Sequence, residues 1–251
     1  MQNISNADDR ATRRSPTTTE FGYELSFTRD QDLINKYKQL RHELYVSDER
    51  FVGFREFSYP EAEDYEDPDN QMLIVHNNGA VYGGVALRIS TPKHPITMNL
   101  EQDIIPPEGT LCFSLKDQFP DFELSDYAYA EFDDIALHPD LREGKYVRMI
   151  FKNLLNRCID YRVRYMFGVG DKVRTRLYRQ IYINMGVEGG VHPTLDIPMR
   201  REYEGKKRYI VYGDTKKFHV LPHDPNAKRL LFPLGDYDFS DQKLWVSTAL
   251  H

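Results

Sequence analysis

The run YAYAEFDDIALHP at 127–139, followed by DLREGKYVRMIFKNLLNRCIDY at 140–161 and RVRYMFGVG at 162–170, decides the fold. Its first part reads as a buried strand carrying three carboxylates, Glu131, Asp133 and Asp134. The second places Val147, Ile150, Phe151, Leu154, Leu155 and Cys158 at helical spacing on one face. The third contains an apolar run, 165–169, of a length that suits a buried strand. Strand, helix and strand in close order predict a βαβ-type crossover and at least one parallel pairing. Acid on such a strand is unusual, because carboxylates are rarely buried without a partner or a task. On a regular strand Glu131 and Asp133 share a face and Asp134 takes the other, unless a bulge intervenes.

Working outward, the segment 21–28 (FGYELSFT) alternates as a strand does, and Asp30 is placed to cap a helix bearing Leu33, Ile34, Tyr37, Leu40, Arg41 and Leu44. Arg41 lies beside that apolar stripe, so it reads either as a snorkelling surface arginine or as a site residue. Residues 47–70 are acidic and without period, yet are punctuated by Phe51, Phe54, Phe57, Tyr59 and Tyr65, which favours a packed lid over a purely solvating loop. QMLIVH at 71–76, the turn at 77–79 and the run 80–90 predict a β-hairpin, with Gly83-Gly84 marking a bulge or a close backbone approach. Four prolines make 91–107 irregular, and a short helix is expected around 114–119.

Downstream, Asp171 caps a predicted helix at 172–185 whose stripe is Val173, Leu177, Ile181 and Met185, stopped at Gly186. Strands are expected at 187–191 and 208–212, with room between them for an antiparallel excursion. The domain expectation is a polar tail at 1–19, a single domain at 20–213, and an extension at 214–251 packed on it.

Composition excludes several classes. Hydrophobic residues are 40% and charged residues 29% of 251, with a mean hydropathy of −0.62, as for an ordinary globular chain. No run reaches the length of a membrane span, and the N-terminus lacks the apolar core of a signal peptide. Two cysteines, Cys112 and Cys158, offer neither a disulfide framework nor metal-ligand spacing, so a reducing cytoplasmic setting and no metal are expected. The net charge of −6 argues against nucleic acid as a partner.

The order strand, helix, long loop, hairpin, acidic strand, helix, strand, helix, strand resembles the acetyltransferase-like (GNAT) topology. That resemblance implies a mixed α/β sheet with helices on both faces and two central parallel strands that splay to receive an acyl thioester. Acetyl-CoA enzymes of the fold carry a glycine-rich turn for the pyrophosphate at the next helix N-terminus. Here Arg142 is followed by one glycine, Gly144, and then by Lys145, Tyr146 and Val147. The branch similar to this chain is that of the acyl-homoserine-lactone (autoinducer) synthases of quorum sensing and the N-acyl amino acid synthases. Arg41 with Tyr45 resembles its Arg-x-x-x-Phe element, and Phe51 stands where that branch has a tryptophan. The run 64–67 resembles its Asp-x-x-Asp pair, Gly84 and Arg88 its Gly-x-x-Arg segment, and Glu131 the glutamate that opens its Glu-x-Ser-Arg-Phe strand. Asp133 and Asp134 replace the serine and arginine of that strand.

What the resemblance implies is acyl transfer from acyl carrier protein or CoA, as co-substrate rather than tightly bound cofactor, to a small amine or amino-acid-like acceptor. Glu131 and Asp133 would serve the reacting amine, with a structural ion pair as the competing reading of Glu131. Arg41, Asp64, Asp67 and Arg88 would hold the acceptor. Arg142, Lys145, Arg148 and Lys152 would face the thioester or an acidic carrier, unless they merely solvate the helix. An acetyl-CoA N-acetyltransferase and a catalytically silent binding module of the same fold are the alternatives.

Overall fold

The computed structural model describes residues 17–47, 70–103, 110–111, 114–192 and 209–216. The expected lid, with Asp64 and Asp67, and the C-terminal extension beyond 216 lie outside the described residues. Strands β1 (Thr18–Glu20) and β2 (Tyr23–Thr28) form a hairpin, so Thr18 and Thr19, assigned to the tail from sequence, belong to the sheet. Helix α1 (Gln31–Val46) begins as expected at Asp30, whose side chain accepts from the N–H groups of Asp32 and Leu33.

Strands β3 (Asn70–Asn77) and β4 (Ala80–Ser90) are the expected hairpin. Asn78 and Gly79 turn it with φ of 49° and 77°, the left-handed pair that a tight primed turn requires. The close approach expected at Gly84 is real: a Cβ there would meet the Tyr37 ring and the Leu73 carbonyl. The irregular stretch holds a 3-10 turn (Asn99–Glu101) and a two-stranded ribbon, β5 (Gln102–Asp103) with β6 (Thr110–Leu111), before the short helix α2 (Leu115–Gln118). Then follow β7 (Ala128–Leu137), α3 (Gly144–Asp160), β8 (Val163–Gly170), α4 (Lys172–Asn184), β9 (Glu188–His192) and β10 (Tyr209–Asp214).

Eight strands form one mixed sheet in the order β1-β2-β3-β4-β7-β8-β10-β9. All described pairings are antiparallel except β7 with β8, the parallel pair expected from the strand-helix-strand order. Helices α3 and α4 cover one face, where Val147, Ile150, Phe151, Leu154 and Cys158 pack on Leu73, Val85, Leu87, Phe132 and Met166. On the other face α1 packs Ile34 and Tyr37 on Met72, Ile74, Ala86 and Ala136, and α2 with the 3-10 turn covers Tyr129, Tyr165, Phe167 and Ile210.

The inward line of α4 keeps Leu177, Ile181 and Met185 of the expected stripe but not Val173. Val173 is 42% exposed, while Thr175, Ile181 and Tyr182 are buried and Tyr178 packs beside them. Thr175 is not part of the expected stripe. Its hydroxyl donates to the Asp171 carbonyl within the first turn, and that bond lets it be buried without a lost partner.

The rings of Tyr178 and Tyr182 join Phe132 and Phe151 in one aromatic cluster. Burial pushes both phenols up, Tyr178 to about 12 and Tyr182 well above its ordinary value of 10.0. The folded chain therefore keeps protons that the unfolded chain releases, so stability is full below pH 10.0 and falls as pH rises toward about 12. Denaturant titrations across that range should show the loss, and Tyr178→Phe should reduce it. An unchanged slope in the variant would remove Tyr178 as a source. A Cβ on Gly168 would drive into the Phe132 ring. Gly168→Ala should therefore cost about 1–3 kcal/mol through overpacking, read as a lower Tm and urea midpoint. An unchanged midpoint would show that the ring yields freely.

Candidate functional site

The site begins where the parallel pair ends. β7 and β8 pair from Ala128 and Val163, with a register shift before Tyr129 and Tyr165, and the described pairing ends at Phe132 and Gly168. Beyond that point β7 runs on to Leu137, paired among the described strands only with β4, as at Gly83 with Leu137. β8 runs on to Gly170, paired among the described strands only with β10. The two strands thus part, leaving a wedge at the end of the sheet from which α3 and α4 set out.

A one-residue bulge shapes the β7 side of the wedge. Ala86 pairs with Asp133 and Gly84 with Ala136, so β7 carries the extra residue between them. Alternation up to the bulge keeps Asp133 on the face of Glu131. The extra residue then returns Ala136 to that face, under Tyr37 of α1. Tyr45 of α1 donates its hydroxyl to the Ile135 carbonyl at 3.3 Å, and the Arg41 guanidinium lies 5.0 Å over the Tyr45 ring. Arg41 is only 4% exposed, so the snorkelling reading does not hold. From the opposite face, Tyr178 of α4 lies within electrostatic reach of Arg174, Tyr45, Asp171 and Asp133.

Next to the wedge runs a row of buried polar groups. On β4, Arg88 and Ser90 stand opposite Glu131 and Tyr129 of β7. Glu131 is 2% exposed, and its two carboxylate oxygens accept from the Leu100 N–H at 3.1 and 3.3 Å. A buried carboxylate requires such donors, since desolvation without them costs several kcal/mol. Arg88 Nη1 donates to Asn99 Oδ1 at 3.0 Å. Glu101, also buried, accepts from the N–H groups of Met98 at 3.0 Å and Leu115 at 2.7 Å. Burial raises the Tyr129 phenol above its ordinary value, the Ser90 hydroxyl opposes that, and the Glu101 carboxylate adds to it.

The structure therefore brings together Arg88, Glu131 and Asp133, with Arg41 reaching the same wedge through Tyr45. The expected cations on and before α3 are placed differently. Arg142 folds back so that its Nε donates to the Leu137 carbonyl at 3.4 Å. Lys145 pairs with Glu143 at 2.9 Å and lies over the Tyr146 and Phe21 rings. Lys152 pairs with Glu20 of β1 at 2.9 Å, and Arg148 is half-buried on the same side of the helix. Hairpin β1–β2 thus covers much of this face. Helix α4, by contrast, carries Lys172, Arg174, Arg176 and Arg179 with no acidic residue, and Lys172, Arg176 and Arg179 are exposed.

Sequence reading missed Ser90, Asn99, Glu101 and Tyr178. One signal for Glu101 existed: it stands three residues after Met98, the spacing at which a glutamate caps the start of a helical turn. Nothing comparable marks Tyr178, whose helical spacing reads as core. Among the described residues no group of His, Cys, Asp or Glu could hold a metal ion, and no helix is long and apolar enough to cross a membrane.

Neither a family model nor a curated protein matches this sequence. Solved structures do. FeeM, an N-acyl amino acid synthase from uncultured soil microbes, aligns with a TM-score of 0.54 over 78% of this chain and 92% of its own, at 10% identity. BjaI, a CoA-dependent acyl-homoserine lactone synthase, aligns at 0.48 over 76% and 81%, with 14% identity. The acyl-homoserine lactone synthase LasI aligns at 0.43 over 80% and 90%, with 12% identity. At such identities the likeness is one of fold, and the mixed sheet with its parted parallel strands is the GNAT acyltransferase-like fold, in a form shared with an N-acyl amino acid synthase.

Proposed function

We propose that the chain is an N-acyltransferase that moves an acyl group from a thioester to the amine of a small, amino-acid-like acceptor. The observation that carries this reading is the parting of β7 and β8 beyond Phe132 and Gly168. An extended thioester arm entering the wedge can pair with the free strand edge as an added strand would. Its carbonyl then lies beside backbone N–H groups able to receive the charge that develops on oxygen. FeeM, of the same fold, is an N-acyl amino acid synthase, which supports an amino acid as acceptor.

In the reaction the neutral amine attacks the thioester carbonyl, the C–N bond forms, and the tetrahedral oxyanion collapses with cleavage of the C–S bond. The nitrogen gives up a proton and the departing thiolate takes one, so the products are an amide and a thiol. Asp133, half-buried at the first position of β7 beyond the parallel pairing, accepts the amine proton directly or through water. Glu131, fixed by Leu100, orients the amine, and Arg88 and Arg41 anchor the acceptor carboxylate.

The start of α3 carries acid as well as base, two carboxylates beside two cations. Asp140 and Glu143 flank that helix N-terminus, while the nearby cations Arg142 and Lys145 are engaged with the Leu137 carbonyl and with Glu143. A pyrophosphate placed there meets two carboxylates. The exposed cations of α4 suit the acidic surface of a carrier protein.

Mass spectrometry of lipid extracts from cells making the chain should reveal an N-acylated amine that disappears with Glu131→Ala. No such product in either sample would remove most of the support for acyl transfer. With purified protein, Glu143→Gln should lower the KM for acyl-CoA by about two- to fivefold and leave that for an acyl-pantetheine thioester unchanged. An equal effect on both donors would contradict the electrostatic argument.

A further inference from the structure

We propose that Glu101 is a positioning residue that sets the orientation of the Glu131 carboxylate and the Arg88 guanidinium, a role that rests on the acyl-transfer reading above. Glu101 closes the 3-10 turn at Asn99–Glu101. Its Oε2 accepts from the Met98 N–H at 3.0 Å, while its own N–H donates to the Met98 carbonyl at 3.0 Å. This reciprocal pair fixes a turn that three residues alone would hold weakly. Its Oε1 accepts from the Leu115 N–H at 2.7 Å, the first residue of α2, and so ties the turn to a second element across the chain segment between them.

The same turn presents its other polar groups to β4 and β7. Its central residue gives the Leu100 N–H to both oxygens of Glu131, and Asn99 gives Oδ1 to Arg88. Met98 and Leu100 are buried against Tyr129 and Phe167, so the turn is also seated by apolar contact. Apolar contact is non-directional and leaves the amide direction free. Glu101 supplies the direction: two amides converge on one buried carboxylate, and the amide between them is aimed at the other. A glutamine at 101 keeps the shape, but its NH2 faces a backbone N–H, so one of the two bonds is lost.

Selective 15N-leucine and 15N-methionine labelling of the full chain gives separate amide signals for Met98, Leu100 and Leu115. In Glu101→Gln, hydrogen exchange at Leu100 should accelerate by about tenfold or more, although Glu101 does not touch that amide. Acceleration at Met98 and Leu115 with Leu100 unchanged would overturn the proposal. Should the variant fail to fold, the wild-type chain still decides. Its Met98, Leu100 and Leu115 amides should exchange through one shared opening as denaturant is raised, and a separate opening for Leu100 would overturn the proposal. In the activity arm, Glu101→Gln should lower kcat by about tenfold, leave the KM of the thioester donor unchanged and displace the acid limb of the kcat profile. A fall in thermal stability with an unmoved pH profile would mark a merely structural residue and overturn the assignment. The exchange readout needs no turnover. Inactive wild-type protein would therefore sink the acyl-transfer reading, while the linkage from Glu101 through Leu100 to Glu131 would stand or fall on the exchange rates alone.

Discussion

Beyond Phe132 and Gly168 the two central parallel strands no longer bond to each other, and each stays extended because its outer neighbour holds it. That single loss of pairing shapes everything around the site. A gap inside a sheet leaves strand-edge groups without strand partners, and such groups need water, a side chain or a ligand. On one face Tyr45 bonds the Ile135 carbonyl, and on the other Tyr178 of α4 packs against Phe132, the last paired residue of β7. Behind the gap, the ring of Phe132 lies where any side chain on Gly168 would sit. The bare glycine thus lets the aromatic cluster close against the point of the wedge.

A second constraint follows from acid in the interior. Glu131 and Glu101 are both buried and lie on facing elements, and each is reconciled with burial by backbone amides. Because those amides come from one short turn and the start of α2, the carboxylates fix that connection as firmly as the connection fixes them. Arg88, opposite Glu131 in the ladder, is drawn into the same arrangement through Asn99. A row of this kind is directional in a way that the surrounding Met98, Leu100 and Phe167 contacts are not.

Much of the fold was legible in the residues. The stripe of α3, the Asn78-Gly79 turn and the cap at Asp30 each follow from local chemistry, as does the presence of β8 though not its full extent, and the parallel pair follows from the strand-helix-strand order. Placement of Glu131 and Asp133 on one face follows from strand alternation, whereas the register that sets Arg88 opposite Glu131 is visible only in the folded sheet. The α3 cations were legible as a polar face but not as a surface already engaged. Lys152 meets Glu20 across 132 positions, and no local pattern announces such a pair. Val173 was misplaced for a related reason: hydropathy ranks Thr175 and Tyr178 as poorer core residues, although a hydroxyl bonded to its own helix is readily buried.

From the residues alone follow most of the strands and helices, the apolar faces of α1 and α3, and the acid on a central strand. Periodicity reports the face a residue takes, because it reflects the geometry of one element at a time. Only the tertiary structure decided what each face meets: that Arg41 is buried, that β7 bulges between Asp133 and Ala136, and that Leu100, 31 positions from Glu131, supplies its amide partner. Those outcomes depend on how separate elements are set against one another. They arise from the need to satisfy each buried polar group, which is a property of the packed whole.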